Sequence, residues 1–138
     1  MHDTTRTFLA AAVLLAPLAH AADLTLHIDK VQAGTGTIMV SLYDSADSYF
    51  KRPARVAQAP ASPGTTTVVI PGLAPGGYAV TVYHDANGNG KLESNLFGIP
   101  TEPFGFGNDA QGEMGPPSFD AARLNVPAAG RAANVTLR

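Results

Sequence analysis

Apolar and polar residues alternate with period two over much of the first half of this chain. Leu24, Leu26 and Ile28 are interleaved with Thr25, His27 and Asp29; after Ala33-Gly34-Thr35-Gly36 the pattern returns as Ile38, Val40 and Leu42 between Thr37, Met39 and Ser41. Successive Cβ atoms of a strand point to opposite sides of its sheet, so this period describes a strand with one buried face. Two such runs joined across glycines predict an antiparallel hairpin.

Residues 44–64 lack a clear period. Ser45 to Phe50 reads as a helical turn or a strand-end loop, and Pro53, Pro60, Pro63 and Gly64 interrupt anything longer. Thr65 to Ile70 is a β-branched run and predicts a strand. Pro71 to Gly77 predicts a tight turn, with proline fixing φ and glycine allowing it to be positive. Tyr78, Val80 and Val82 then alternate with Ala79, Thr81 and Tyr83. Short strands at Arg123 to Val126 and Ala133 to Leu137, and a weaker one at Leu96 to Ile99, bring the expected total to about seven. Many short strands, frequent turns and little helix predict an all-β fold, an antiparallel β-sandwich.

Residues 85–120 break this rhythm with seven glycines and four prolines in 36 positions. Connections of this length are uncommon in compact domains unless they are functional or disordered. Leu96, Phe97, Ile99, Phe104, Phe106 and Phe119 argue against disorder, because large apolar groups seek burial. The segment is expected to be an ordered excursion packed over the sandwich.

The other end of the chain changes the picture of location. His2 and Arg6 precede an apolar stretch from Phe8 to Leu18, and Ala19-His20-Ala21 offers a small-x-small cleavage pattern. This is the layout of a Sec-type signal peptide over residues 1–21, with cleavage near Ala21. The stretch is too short for a membrane span, which needs about 20 apolar residues. A periplasmic or secreted protein follows, with 117 residues in one domain, 22–138. It has no cysteine, so no disulfide framework supports it.

The net charge of −2 gives no general attraction to nucleic acid or anionic surfaces. It is unevenly spread, however. Residues 85–120 hold Asp85, Glu93, Glu102, Asp109, Glu113 and Asp120 against the single base Lys91. A local acidic surplus suits a cation or a basic partner, although acids also collect in solvated loops.

The run His84-Asp85-Ala86-Asn87-Gly88-Asn89-Gly90-Lys91-Leu92-Glu93-Ser94-Asn95 gives that surplus a specific form. Calcium takes six to eight hard oxygens, and ligands at alternate positions followed by a glycine bend wrap a chain around it. Asp85, Asn87 and Asn89 occupy the first, third and fifth places, Gly90 the sixth, the Lys91 carbonyl the seventh and Glu93 the ninth. Leu96 stands where an EF-hand needs a bidentate glutamate, which excludes that motif. Closure would fall to Glu93, Asn95, Glu102 or Asp109. With two carboxylates in the run, calcium affinity is expected near ~10⁻⁴–10⁻³ M. The competing assignment is a turn in which Asp and Asn accept from their own backbone and Asn-Gly permits positive φ.

A second group lies at residues 98–108, where Phe104 and Phe106 alternate with glycines. Such rings stack on a sugar or a peptide, or anchor the excursion to the core. Catalytic chemistry is thinly represented. His84 beside Asp85 is a candidate base, but no G-x-S-x-G elbow or other nucleophile pattern accompanies it, and zinc would need more nitrogen or sulfur ligands. Carboxylate pairs such as Asp85 with Glu93 or Glu102 carry no separation that spacing alone can establish.

The string His84-Asp85-x-Asn87-x-Asn89-Gly90-Lys91-Leu92, then Asn95, Gly98-Ile99-Pro100-x-Glu102, Phe104-Gly105-Phe106-x-Asn108 and Pro117-Ser118-Phe119-x-x-Ala122, resembles the domain-of-unknown-function family 2141. Gly72-Leu73-x-Pro75-Gly76-x-Tyr78 is similar to the turn and strand of transthyretin-like sandwiches. The resemblance implies a small exported bacterial protein with a prealbumin-like or immunoglobulin-like sandwich and no known enzyme chemistry. Pro103 and Gly107 depart from the family pattern, where glycine and serine are commoner, which puts any side-chain role at position 107 in doubt.

Together these observations predict an exported, non-enzymatic β-sandwich of binding or structural role. Calcium is its candidate cofactor, held by Asp85, Asn87, Asn89, Lys91, Glu93 and Asn95. The alternative is a metal-free module that engages carbohydrate or protein through Glu102, Phe104, Phe106 and Asn108. A third possibility is a hydrolase using His84 with Asp85 or Glu102. Nucleic acid and a membrane span are not expected.

Overall fold

The computed structural model describes residues 11–12 and 21–138. The leader expected over residues 1–21 therefore lies, but for those few positions, outside the described residues. Eight strands follow in order: β1 (Ala22–Val31), β2 (Thr37–Tyr43), β3 (Arg55–Pro60), β4 (Gly64–Leu73), β5 (Gly76–Asp85), β6 (Phe104–Phe106), β7 (Arg123–Val126) and β8 (Arg131–Thr136). Helix among the described residues is limited to a 3₁₀ turn at Gly107–Asp109 and to α1 (Phe119–Ala122). The Ser118 hydroxyl caps α1 by accepting the Ala121 N–H.

The strands form two sheets. One has three strands in the order β4-β1-β8; the other has five, with β3-β2-β5 in sequence and both β6 and β7 along the far edge of β5. Leu24, Leu26 and Ile28 of β1 face Ile38, Val40 and Leu42 of β2 across the sandwich, and Val68, Ile70, Val80, Val82, Leu124 and Val135 complete the core. Each of these side chains is at most 2% exposed. Burying a Leu, Ile or Val in this way contributes about 1.5–3 kcal/mol relative to leaving it in water.

Several expectations are corrected. β1 and β2 do not form a hairpin: β1 pairs with β4 and β8, while β2 pairs with β3 and β5. Each strand has one apolar face, and that face can be satisfied by an opposing sheet as well as by sharing a sheet, so alternation alone does not decide between them. The connection crosses between sheets at Gly36, whose φ is +75° and where a Cβ would collide with the Asp85 carbonyl. The sandwich is also not wholly antiparallel, since β1 and β8 run parallel from Leu24 opposite Arg131 to Asp29 opposite Thr136.

β3 was hidden by its alanines and by Pro60. It is an edge strand that pairs only with β2, and an edge tolerates the missing N–H of Pro60. Residues 96–99 form no strand. Their neighbours Ser94 and Pro100 make an isolated bridge closing a tight turn. Leu96 and Phe97 at its apex are 101% and 87% exposed, contrary to the burial expected for them.

β6 is tied in from both sides. It pairs with β5, and the Phe104 backbone exchanges hydrogen bonds with Arg138, its N–H donating to the Arg138 carbonyl at 3.1 Å and its carbonyl accepting the Arg138 N–H at 2.9 Å. Gly105 is what permits this closeness, because a Cβ there would lie 2.7 Å from the Thr136 carbonyl oxygen and 2.8 Å from Val135 Cγ1. Overpacking of this kind costs about 1–3 kcal/mol. Gly105→Ala should therefore lower the melting temperature by about 5–15 °C in calorimetry. An unchanged melting point would show that β6 does not sit against β8.

Candidate functional site

The site begins where β5 leaves the core. Its even-numbered residues Tyr78, Val80, Val82 and His84 face inward, and its odd-numbered residues Thr81 and Tyr83 floor the outer surface. His84 is 2% exposed, and its Nε2–H donates to the Thr35 carbonyl at 2.7 Å. The ring is thus turned away from Asp85 and into the sandwich.

Asp85 is 3% exposed and closes the strand with a loop of its own making. Its Oδ1 accepts the Asn89 N–H at 3.2 Å, and its Oδ2 accepts the Gly90 N–H at 2.8 Å. Asn87 Oδ1 accepts from Asn89 N at 3.2 Å, and Asn89 Oδ1 accepts from Lys91 N at 3.0 Å. The amide nitrogens of Asn87 and Asn89 both donate to Glu93 Oε1, the first at 2.6 Å. Positions one, three, five and nine of the run are therefore gathered, as the alternation predicts. The loop is fixed to β5 by Tyr83, whose hydroxyl donates to the Gly90 carbonyl at 3.1 Å.

The donor set fits an oxygen-seeking cation in kind: two carboxylates, two amide oxygens and the Lys91 carbonyl. Amide nitrogens rather than a cation offset the Glu93 charge in this conformation, so both the turn and the calcium assignments draw on the same atoms. Among the described residues, no three His, Cys, Asp or Glu side chains cluster as a metal site. Asn95 is not brought to the loop. Its Oδ1 accepts the N–H groups of Phe97 and Ile99 at 2.9 and 3.1 Å, which closes the next turn instead.

Glu102 and Asn108 likewise serve the backbone. The buried Glu102 accepts the Glu93 N–H through Oε2 at 3.3 Å. Asn108, at φ +60°, donates through Nδ2 to the carbonyls of Ala121 and Arg123 at 3.1 and 2.9 Å. Both side chains thereby hold the backbone of the excursion.

Phe104 and Phe106 have a different place. Register puts Phe104 opposite Tyr83 and Phe106 opposite Thr81, and opposed residues share a face of the sheet. On the neighbouring strand Ser41 stands opposite Thr81 and Tyr43 opposite Ala79. An aromatic floor results, with Phe104 and Phe106 at 5.8 Å between ring centres and Phe50 edge-on to Phe106 at 6.4 Å. Over it stand Leu92, Phe97, Ile99 and Met114, enclosing a cleft of about 810 Å³. The sequence signal for this surface was an aromatic residue on the polar face of a strand, at Tyr43 and Tyr83, and it was missed. A smaller pocket of about 180 Å³ adjoins it, bounded by the same two phenylalanines with Asp109, Gln111 and Arg138.

The far wall of the cleft hangs on Tyr49. Its ring meets Tyr43 at 5.5 Å and Phe119 at 5.9 Å, and its hydroxyl donates to the Pro117 carbonyl at 3.0 Å. Burial, followed by the nearby Tyr43, pushes the Tyr49 hydroxyl up from 10.0 to about 12. Tyr83 is raised as well, first by burial and then by the charges of Asp85 and Glu102. A raised folded-state value means that the stabilisation is complete below pH 10, where unfolded tyrosine is still protonated, and is lost as pH rises toward 12. Stability measured by thermal melting should fall across that window, and Tyr49→Phe should flatten the decline. Ultraviolet titration in which all tyrosines of the folded chain ionise together near 10 would contradict this placement.

No helix among the described residues is long and apolar enough to cross a membrane. No curated protein and no solved structure matches the chain. The family described as "Uncharacterized protein conserved in bacteria (DUF2141)" matches residues 26–134, a span that runs from the first core strand to the last and includes the whole 85–120 segment, and the chain belongs to that family.

Proposed function

We propose that this is an exported, non-enzymatic binding module, in which the 85–120 segment frames a ligand cleft on the outer face of the five-stranded sheet and a calcium-type loop at 85–95 holds that segment in shape. The cleft carries this proposal. Its volume of about 810 Å³ falls within the ~300–1,000 Å³ of ligand pockets. Its lining combines Tyr43, Phe50, Tyr83, Phe104 and Phe106 with a few hydroxyls from Ser41, Thr81 and Ser94. Rings with sparse polar groups favour an apolar or aromatic ligand, including an apolar protein side chain, over a carbohydrate, which presents many hydroxyls to be paired. Binding is favoured over hydrolysis because His84 is committed to the Thr35 carbonyl inside the sandwich.

Calcium would be held by the side chains of Asp85, Asn87, Asn89 and Glu93 and by the Lys91 carbonyl. Its contribution would be to offset the two carboxylates where amide donors now offset one. Calcium at 100 times its dissociation constant adds about 2.7 kcal/mol, so for an affinity of ~10⁻⁴ M melting in about 10 mM calcium should exceed melting in chelator by about 10 °C. Asp85→Ala should abolish the shift and also lower the baseline, since it leaves the Gly90 N–H without its acceptor at about 1–3 kcal/mol, while the Asn89 N–H keeps Asn87 Oδ1. Glu93→Gln separates the two effects, because its amide oxygen can still accept from Asn87 and Asn89 while the charge is gone. No calcium shift in the wild type would end the metal assignment and leave the cleft. The cleft itself is tested with 1-anilinonaphthalene-8-sulfonate: its fluorescence should rise with the wild type and fall with Phe104→Ala, and equal fluorescence with both would remove the cleft as the site.

A further inference from the structure

We propose that Asn87-Gly88 is a self-modifying site, at which the folded chain converts Asn87 to aspartate and isoaspartate while Asp85 shields the neighbouring Asn89-Gly90 from the same reaction. These are the two Asn-Gly pairs of the chain, and both lie on the exposed loop that follows β5. Glycine has no Cβ to hinder the approach of its own nitrogen to the preceding side chain. Backbone attack on an asparagine amide is therefore easiest at this dipeptide.

The reaction needs only water. The Gly88 nitrogen bonds to Asn87 Cγ, and the Cγ–Nδ2 bond breaks. The backbone proton passes through solvent to Nδ2, which leaves as ammonia, and a cyclic imide remains. Water then opens the imide at Cγ to give aspartate, or at the main-chain carbonyl to give isoaspartate. Either product carries a carboxylate where a neutral amide stood.

The two pairs are closely matched. Gly88 and Gly90 have φ of +73° and +74°, and open space lies where a Cβ would stand on each. Asn87 Oδ1 accepts the N–H two residues further on at 3.2 Å, and Asn89 Oδ1 does the same at 3.0 Å. Both side-chain nitrogens donate to Glu93 Oε1. The attacking nitrogens differ. The Gly90 N–H is held by the buried Asp85 carboxylate at 2.8 Å, whereas the Gly88 N–H donates to no acceptor among the described residues.

That difference sets the order of reaction. An attacking nitrogen must release its proton to solvent and turn toward Cγ. Gly90 can do so only by breaking a charge-assisted bond and leaving a buried carboxylate short of a donor. Gly88 gives up no such bond. Modification also undoes the loop: the Asn87 donor to Glu93 is replaced by a like charge facing it, and isoaspartate adds a carbon to the main chain. Leu92, next to Glu93, lines the cleft, so the wall it forms loosens as the protein ages.

Incubation in warm, mildly alkaline buffer tests this, using residues 22–138, which hold every strand and every core residue among those described. Chelator is kept in the buffer, so the outcome does not depend on the calcium assignment. Peptide mapping with fragmentation, together with isoaspartyl methyltransferase labelling, follows each asparagine. In the folded chain Asn87 should convert at least about tenfold faster than Asn89, the ratio expected for one hydrogen bond to a buried charge. In guanidinium chloride the two should convert at similar rates. A folded Asp85→Ala variant should bring Asn89 up toward the rate of Asn87; should that variant not fold, the comparison in denaturant decides. Converted protein should melt below fresh protein, and Asn87→Asp should shift the melting temperature in the same direction. Equal rates in the folded wild type would overturn the proposal, as would a folded chain that converts neither while the unfolded chain converts both. The same preference for Asn87 in denaturant would trace the order to local sequence and remove the role given to Asp85. Unchanged melting of converted protein would remove the loosening of the loop.

Discussion

The segment outside the core depends on a buried carboxylate. At the end of β5 the chain leaves a sheet edge already occupied by β6 and β7, and Asp85 must be satisfied where only 3% of it remains exposed. It accepts the N–H groups of Asn89 and Gly90. A charged acceptor makes stronger hydrogen bonds than a neutral one, and an unpaired carboxylate at that depth would be costly. The loop therefore bends back on the residue that starts it. The direction of that bend sends Glu93 toward Glu102, and the 93–102 turn is then closed by Thr101 donating to the Glu93 carbonyl.

From that bend the cleft follows by register. β6 returns antiparallel to β5 with Phe104 against Tyr83, which commits both phenylalanines to the outer face and Gly105 to the inner one. Only a residue without a side chain could face β8 so closely, and its neighbours on either side are then free to be large. The glycine-flanked phenylalanines are one solution to two demands: close packing on one side of the strand and an aromatic surface on the other.

How much of this was readable in the amino-acid sequence differs between core and surface. Core strands announced themselves because Leu24, Leu26, Ile28 and their counterparts repeat every second residue, and burial imposes that repeat directly. Partnership did not, since facing across a sandwich and pairing within a sheet leave the same period; hence the hairpin that β1 and β2 do not form. β3 escaped because an edge strand with exposures alternating between partial and full needs neither β-branched residues nor an uninterrupted N–H row. In the loop, Asp85, Asn87, Asn89 and Glu93 were legible because backbone-accepting side chains at alternate positions have a local logic. Asn95 was misplaced because the same side chain can serve the turn on either side of it. The cleft was the least legible feature: Tyr43, Phe50, Tyr83 and Met114 are far apart in the chain, and only tertiary register brings them together.

Leu96, Phe97 and Ile99 pose the reverse problem, since burial was expected and water is what they meet. Each side chain left exposed forgoes about 1.5–3 kcal/mol that the core could have provided. Nothing local forces this, because Thr or Asn at the apex would turn equally well and the bends are made by Asn95 and Gly98. The same turn spends its hydrogen-bonding capacity inwardly, through one asparagine oxygen that accepts two N–H groups. Asn95 and Gly98 thus set the bends of the turn, and the apolar apex is carried by a frame that does not itself require it.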